Sequence, residues 1–117
     1  MRYSSFEQGD IVVAPIPFSN LIKVKLRPAL VMSPKGRNQS SEDLIVLKIT
    51  SKGKDYPFDV SLKEKNDLSE GTLEQESVIQ ADFPVVIEKI SVKQTIGKIS
   101  KQKLAEVKKK MVELYEL

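Results

Sequence analysis

From residue 10 to residue 16 the chain reads DIVVAPI, an apolar run that closes among Pro15 and Pro17. Proline cannot donate into a central ladder, so a strand is expected to end there. ALVMS at 29–33 and LIVLKIT at 44–50 are short and apolar, which predicts buried strands. YPFDVSL at 56–62 alternates more clearly, with Tyr56, Phe58, Val60 and Leu62 on one face. Further strands are predicted at 77–81 and 85–90, with a short last one at 95–99. The segments between them are rich in Asn, Ser, Gly, Lys and Asp, as turns should be.

After Ser100 the period changes. Leu104, Val107, Met111 and Leu114 form a helical stripe, with Lys101, Lys108, Lys109 and Glu113 around it. Ser100 is a natural N-cap, although Lys103 stands where a Glu would complete a capping box. Several short strands followed by one terminal helix predict a mainly β fold: a strongly twisted sheet or small barrel with the helix packed on it. No repeat, low-complexity tract or linker divides the chain, so residues 1–117 read as a single domain.

Composition removes much chemistry. The 117 residues include no cysteine and no histidine. Disulfides, thiolate metal sites, His-based zinc sites and Ser-His-Asp triads are all excluded. Any catalysis falls to Arg, Lys, Asp, Glu, Tyr, Ser or Thr. MRYSSFEQGD lacks the apolar core of a signal peptide, and the longest apolar runs are too short to span a bilayer. A soluble, cytoplasmic protein without a membrane partner is the expectation. The net charge of +3 is unevenly spread, with local nets of +4 over 1–41, −4 over 42–97 and +3 over 98–117. A basic N-terminal third suits a phosphate-bearing partner, although for charge alone a solvated surface is the plainer account.

Four segments carry a resemblance. Gly9-Asp10-Ile11-Val12-Val13, followed by Pro15-Ile16-Pro17-Phe18-Ser19, resembles the opening of MazF/PemK-like toxins. Arg27-Pro28-Ala29-Leu30-Val31-Met32-Ser33 and Ile49-Thr50-Ser51 are similar to two inner motifs of that family. Gly71, Ser77-Val78-Ile79, Asp82 and Ile96-Gly97-Lys98-Ile99-Ser100 resemble its end. Each motif alone is weak, but their order and spacing cover nearly the whole chain. The resemblance implies an SH3-like small barrel of about six to seven short strands with a C-terminal α-helix. It implies a homodimer that cleaves single-stranded mRNA selectively and is neutralised by a cognate antitoxin. DNA enters as a partner through the toxin–antitoxin complex.

That chemistry suits this composition. RNA carries its own nucleophile, the 2′-hydroxyl, so the route to a 2′,3′-cyclic phosphate and a 5′-hydroxyl needs neither a covalent residue nor a metal or other cofactor. Arg27 is the leading catalytic candidate, because a guanidinium presents a planar fork to two phosphate oxygens. Pro28 biases it toward extended backbone at a strand entrance. The alternative is an ordinary surface arginine at a strand start. Thr50, also implied to be catalytic, ends an apolar strand where its hydroxyl can donate to a phosphoryl oxygen. A β-branched residue is also simply common in strands. Ser19, Lys23 and Lys25 lie in the segment 19–26, read as a loop between the first two strands that offers contacts to RNA. A hairpin extension with surface lysines is the competing view. Ser51 and Gln80 complete the RNA-binding set implied by the resemblance.

The match departs from the family at two places in the chain, and the histidines that some relatives use are absent. Some relatives carry an Arg-x-Asp pair where this chain reads Gln80-Ala81-Asp82. The carboxylate survives as a third catalytic candidate, Asp82, which also suits a turn before Phe83-Pro84. Gln80 can hydrogen-bond a base but supplies no charge. The segment 63–76, with Gly71-Thr72-Leu73 in place of a direct Gly-Leu, is strongly acidic and is expected to lie away from an RNA groove. Two other functions remain open on the same fold: a gyrase-poison-like protein-binding module, and a non-catalytic nucleic-acid binder.

Overall fold

The computed structural model describes residues 5–17, 24–51 and 56–117. Among them lie strands β1 (Asp10–Pro17), β2 (Val24–Val31), β3 (Asp43–Thr50), β4 (Asp59–Leu62), β5 (Leu68–Gly71), β6 (Ser77–Glu88) and β7 (Gln94–Ile99). Helix α1 (Lys35–Ser40) follows β2, and α2 (Lys101–Tyr115) ends the chain. The strands make one antiparallel sheet in the order β4-β6-β3-β2-β1-β7-β5. The expected mainly β fold with a terminal helix is what forms.

The sheet is buried on both faces, which is why its inner strands read as continuous apolar runs rather than clean alternations. One face gathers Ile11, Leu30, Leu47, Ile49, Val60, Leu62, Ile79 and Ala81 around Val107 of α2. The other gathers Val12, Ala14, Ile16, Ala29, Val31, Leu44, Val46 and Ile87 around Phe6. Helix α2 packs on β6 and β4. Of its predicted stripe, Val107 is fully buried, Leu104 and Met111 pack against the first cluster, and Leu114 is half-buried. Ser100 caps α2 as expected, its Oγ accepting from the Lys103 N–H at 3.1 Å. Lys103 itself reaches back to Ser61 and Asp67.

Three boundaries differ from the sequence pattern, each for a local reason. β1 runs through both of its prolines. Its pairing with β7 stops at Val13, so among the described residues Pro15 and Pro17 pair with β2 and not with β7, the place where a strand tolerates a missing N–H. The two strands expected at 77–81 and 85–90 are one strand, β6, which crosses Asp82 and Pro84. The register against β3 slips between the Leu47–Pro84 and Ile49–Ile79 pairs, and β4 no longer pairs there, so an irregular ladder accommodates the proline. Asp82 therefore stands within a strand rather than in a turn. Finally, β2 begins at Val24, so Lys25 is a strand residue paired with Ile16 and not part of a loop. Ser19 and Lys23 lie outside the described residues.

Two elements had no sequence signal. β5 is four residues whose one strand partner among the described residues is β7. Helix α1, KGRNQS, has no apolar period and is held by polar contacts, Arg37 to Asp43 and Lys89 to the Asn38 carbonyl among them, and by one buried polar side chain. Asn38 is fully buried, and its Nδ2 donates to the Phe6 carbonyl at 3.1 Å and the Ser33 carbonyl at 2.9 Å. It thereby ties the N-terminal segment, the end of β2 and α1 together. Replacing it by Asn38→Leu keeps the volume but strips both carbonyls of their donor. Such a loss is expected to cost about 2–3 kcal/mol, seen as a lower urea midpoint at unchanged slope. An unchanged midpoint would show that the two bonds are dispensable.

Near the N-terminal segment, Lys98 bridges Glu7 at 2.9 Å and Asp10 at 3.0 Å, and Lys35 also approaches Glu7. Hydrogen bonding to Lys98, and then its charge, hold the Glu7 carboxyl below its ordinary value. Burial opposes the Lys98 charge, but hydrogen bonds to both acids outweigh it and raise that ammonium's pKa. This cluster fastens β7 to the start of β1.

Candidate functional site

Strand alternation decides which candidates can meet. On β2, Ala29 and Val31 face the Phe6 cluster, and Arg27 shares their side. On β3, Leu44 and Val46 face the same cluster, and Lys48 and Thr50 continue that side toward the strand's end. Ala29 pairs with Lys48, Leu30 with Leu47 and Val31 with Val46. Continued by two residues, this register sets Arg27 opposite Thr50. The two leading sequence candidates thus come from facing strands, on one face, just beyond the apolar core. Both are half-buried.

Arg27 also lines a cleft of about 400 Å³, together with Pro28, Ser51, Gln75, Ser77 and Gln94. The charged face and the cleft therefore meet at this arginine. Pro28 has no N–H and pairs with Val13, which holds Arg27 in extended strand as its sequence position suggested. Exposed Lys25 lies two residues before Arg27, on the same side of β2. Exposed Ser51 lies one past the end of β3.

The β6 candidates divide. Gln80 is half-buried and pairs with Asp59 of β4. Its Oε1 is buried and finds no hydrogen-bond partner among the described residues. Asp82 is exposed, at the register slip. The acidic segment does not keep its distance: Thr72, Leu73, Glu74 and Gln75 form one wall of the cleft that Arg27 lines. Charge alone had suggested otherwise, but β5 pairs with β7, and residues 72–75 follow directly on that pairing. Among the described residues no group of three or more acidic side chains is placed to hold a metal ion.

Sequence reasoning passed over one residue here. Lys48 interrupts an apolar strand, and its Nζ lies 4.7 Å from the centre of the Phe83 ring. Burial lowers its pKa, and the neighbouring Arg27 charge lowers it further. A lysine two positions before Thr50, inside LIVLKIT, was the available signal.

Fold and site together define a small barrel-like β domain, closed by a helix, with cations gathered at the end of two central strands. The chain belongs to the family of PemK-like, MazF-like toxins of type II toxin–antitoxin systems, whose profile matches residues 7–115. Its fold is that of MazF from Deinococcus radiodurans, with a TM-score of 0.79 at 26% identity over 97% of this chain and 98% of that one. It is also similar to the MazE–MazF complex from that organism, with a TM-score of 0.73, 25% identity and 97% of each chain covered. A mycobacterial endoribonuclease solved with its cognate antitoxin shares the fold at 14% identity, with a TM-score of 0.78 and 97% of each chain covered. No curated protein matches the sequence. No helix among the described residues is long and apolar enough to cross a membrane.

Proposed function

We propose that this toxin is a metal-independent, sequence-selective endoribonuclease acting on single-stranded RNA. The feature that carries the reading is the register of β2 on β3, which continued past its last pair sets Arg27 level with Thr50 on one face, with Arg27 at the edge of an open cleft. In the reaction the RNA 2′-oxygen bonds to phosphorus and gives up its proton, while the bond from phosphorus to the 5′-oxygen breaks and that oxygen gains one. The products are a 2′,3′-cyclic phosphate and a 5′-hydroxyl. Arg27 holds the non-bridging oxygens through its fork, and the Thr50 hydroxyl donates to the charge that develops there. Asp82 accepts the 2′-hydroxyl proton. Lys25, Ser51 and Gln80 contact the flanking RNA.

Partner binding has its own candidate surface. Val24 and Leu26 alternate with Arg27 along β2 and so lie on its opposite face, each more than half exposed, and apolar side chains so placed are suited to cover by another chain. A homodimer and a cognate antitoxin are the partners this reading assigns.

The test is a long single-stranded RNA incubated with the purified, antitoxin-free protein in EDTA. Discrete fragments with 5′-hydroxyl and cyclic phosphate ends are expected, and their sequences give the recognition site. Intact RNA from folded protein would withdraw the proposal in favour of a non-catalytic binding role.

A further inference from the structure

The cleft that Arg27 borders has a chemistry of its own. Pro28, Ile49, Leu73 and Ile96 give it apolar walls, and all four are buried or half-buried. Gln75 and Gln94, both exposed, bring two side-chain amides to the same cleft. They come from different parts of the fold. Gln94 opens β7 and pairs with Val13 of β1, while Gln75 stands in the link from β5 to β6. The Ser77 hydroxyl donates to the Gln75 carbonyl at 3.0 Å and so tethers the backbone that carries this amide.

Charge narrows what such a cleft can hold. Among the described residues that line it, only Arg27 and Glu74 are charged, and Glu76 follows in the same link. A phosphate drawn between these walls would lose its water and meet a carboxylate, which is costly. A nucleobase is uncharged, lays its flat faces on apolar side chains and presents donors and acceptors along its edge. A glutamine amide carries a donor beside an acceptor, so it can pair with such an edge through two hydrogen bonds. The volume of about 400 Å³ lies within the range of small-ligand sites, which combine apolar walls with a few placed polar groups in this way. An apolar side chain from a protein partner would use the walls and not the amides. We infer that the cleft seats one unpaired base of the RNA, and that Gln75 and Gln94 read its edge. The inference rests on the ribonuclease reading above, and it assigns the sequence selectivity of cleavage to two residues outside the motifs that carry the family resemblance.

The experiment maps every cut in a pool of random single-stranded RNA for the wild type, Gln75→Ala and Gln94→Ala. Lys101→Gln, on the exposed first turn of α2, is the control and is expected to cut as the wild type does. The wild type is expected to prefer one base at a fixed position near the cut by about tenfold or more. Both glutamine variants are expected to relax that one position to within about threefold and to keep the wild-type preference elsewhere. An abasic nucleotide at that position is expected to slow the wild type about tenfold and to cost the double variant little. A merely structural role would instead lower cleavage evenly across all sequences. If Gln94→Ala loses its cooperative melt, Gln94→Ser read in the same way decides. The inference is overturned if the folded variants keep the wild-type preference at every position, if their losses are uniform across sequences, or if the two relax different positions. A wild type that cuts RNA without base preference overturns this inference alone. One that leaves RNA intact overturns the ribonuclease reading and this inference with it.

Discussion

Arg27→Ala is expected to abolish RNA cleavage nearly completely while leaving a folded protein. Arg27 lies beyond the last fully buried residue of its side of β2, half-buried at the cleft edge, so its removal opens no cavity in either core. What disappears, on the proposed reading, is the always-charged fork that meets the developing phosphorane charge. Loss of one preorganised donor of that kind typically costs about 3 kcal/mol, or on the order of a hundredfold in rate. A donor that is also the principal cation should cost more. Arg27→Lys keeps the charge and loses the fork, so its activity is expected to fall between the two. Single-turnover cleavage, with circular dichroism melts of all three proteins, separates the effect from misfolding. Wild-type rates in folded Arg27→Ala would remove this residue from the mechanism and shift attention to Thr50.

The largest structural effect is expected at Gly71. It has φ of +76°, a region that L side chains rarely adopt. A Cβ there would stand 2.1 Å from the Ile96 carbonyl oxygen and 2.7 Å from the Gly97 Cα, both backbone atoms. No rotamer change can relieve such a clash, so β5 must leave β7 or the backbone must move. Gly71→Ala is therefore expected to cost roughly 3 kcal/mol or more, a large part of the stability of a domain this size. The accompanying drop in Tm is expected to be on the order of 10 °C. Gly36, in α1, offers a contrast within the same protein, since nothing lies within 4 Å of its added Cβ. Gly36→Ala should be neutral or stabilising by up to about 1 kcal/mol. Equal melting of the two variants would show that the β5–β7 approach is not needed for stability.

Gly71 and Arg27 also mark how far the sequence could be read. Both stood in motifs whose order suggested the family, and the family profile extends over residues 7–115. The β runs at 29–33 and 44–50 announced inner strands because a sheet buried on both faces leaves little room for polar side chains. The helix was legible from its period and its serine cap. Less legible were the places where pairing changes partway along a strand. Proline at 15, 17 and 84 looked like strand breaks, since sequence does not reveal which neighbour has already ended. β5 and α1 carry no apolar period because one is a short strand that, among the described residues, pairs with β7 and the other is held by polar contacts, Asn38 among them.

The site was half legible for a related reason. Arg27 and Thr50 stood out as polar groups at the ends of apolar runs. Lys48 did not, because a basic residue amid LIVLKIT reads as a surface excursion until the facing strand is known. The acidic segment 63–76 was expected to stay clear of the site on charge alone, yet Glu74 borders the cleft.

By itself the sequence determined the chemistry that is excluded, the number and rough position of most strands, the capped terminal helix and the family. Those properties follow from residue type and local period, which need no knowledge of neighbours. Tertiary structure decided the register. Continued past its last pair, that register sets Arg27 level with Thr50, while changes of pairing carry β6 through a proline and bring residues 72–75 to the cleft that Arg27 lines. Each of these depends on which residues face one another across 4–5 Å of sheet, and a side-chain period of two makes that choice all or nothing.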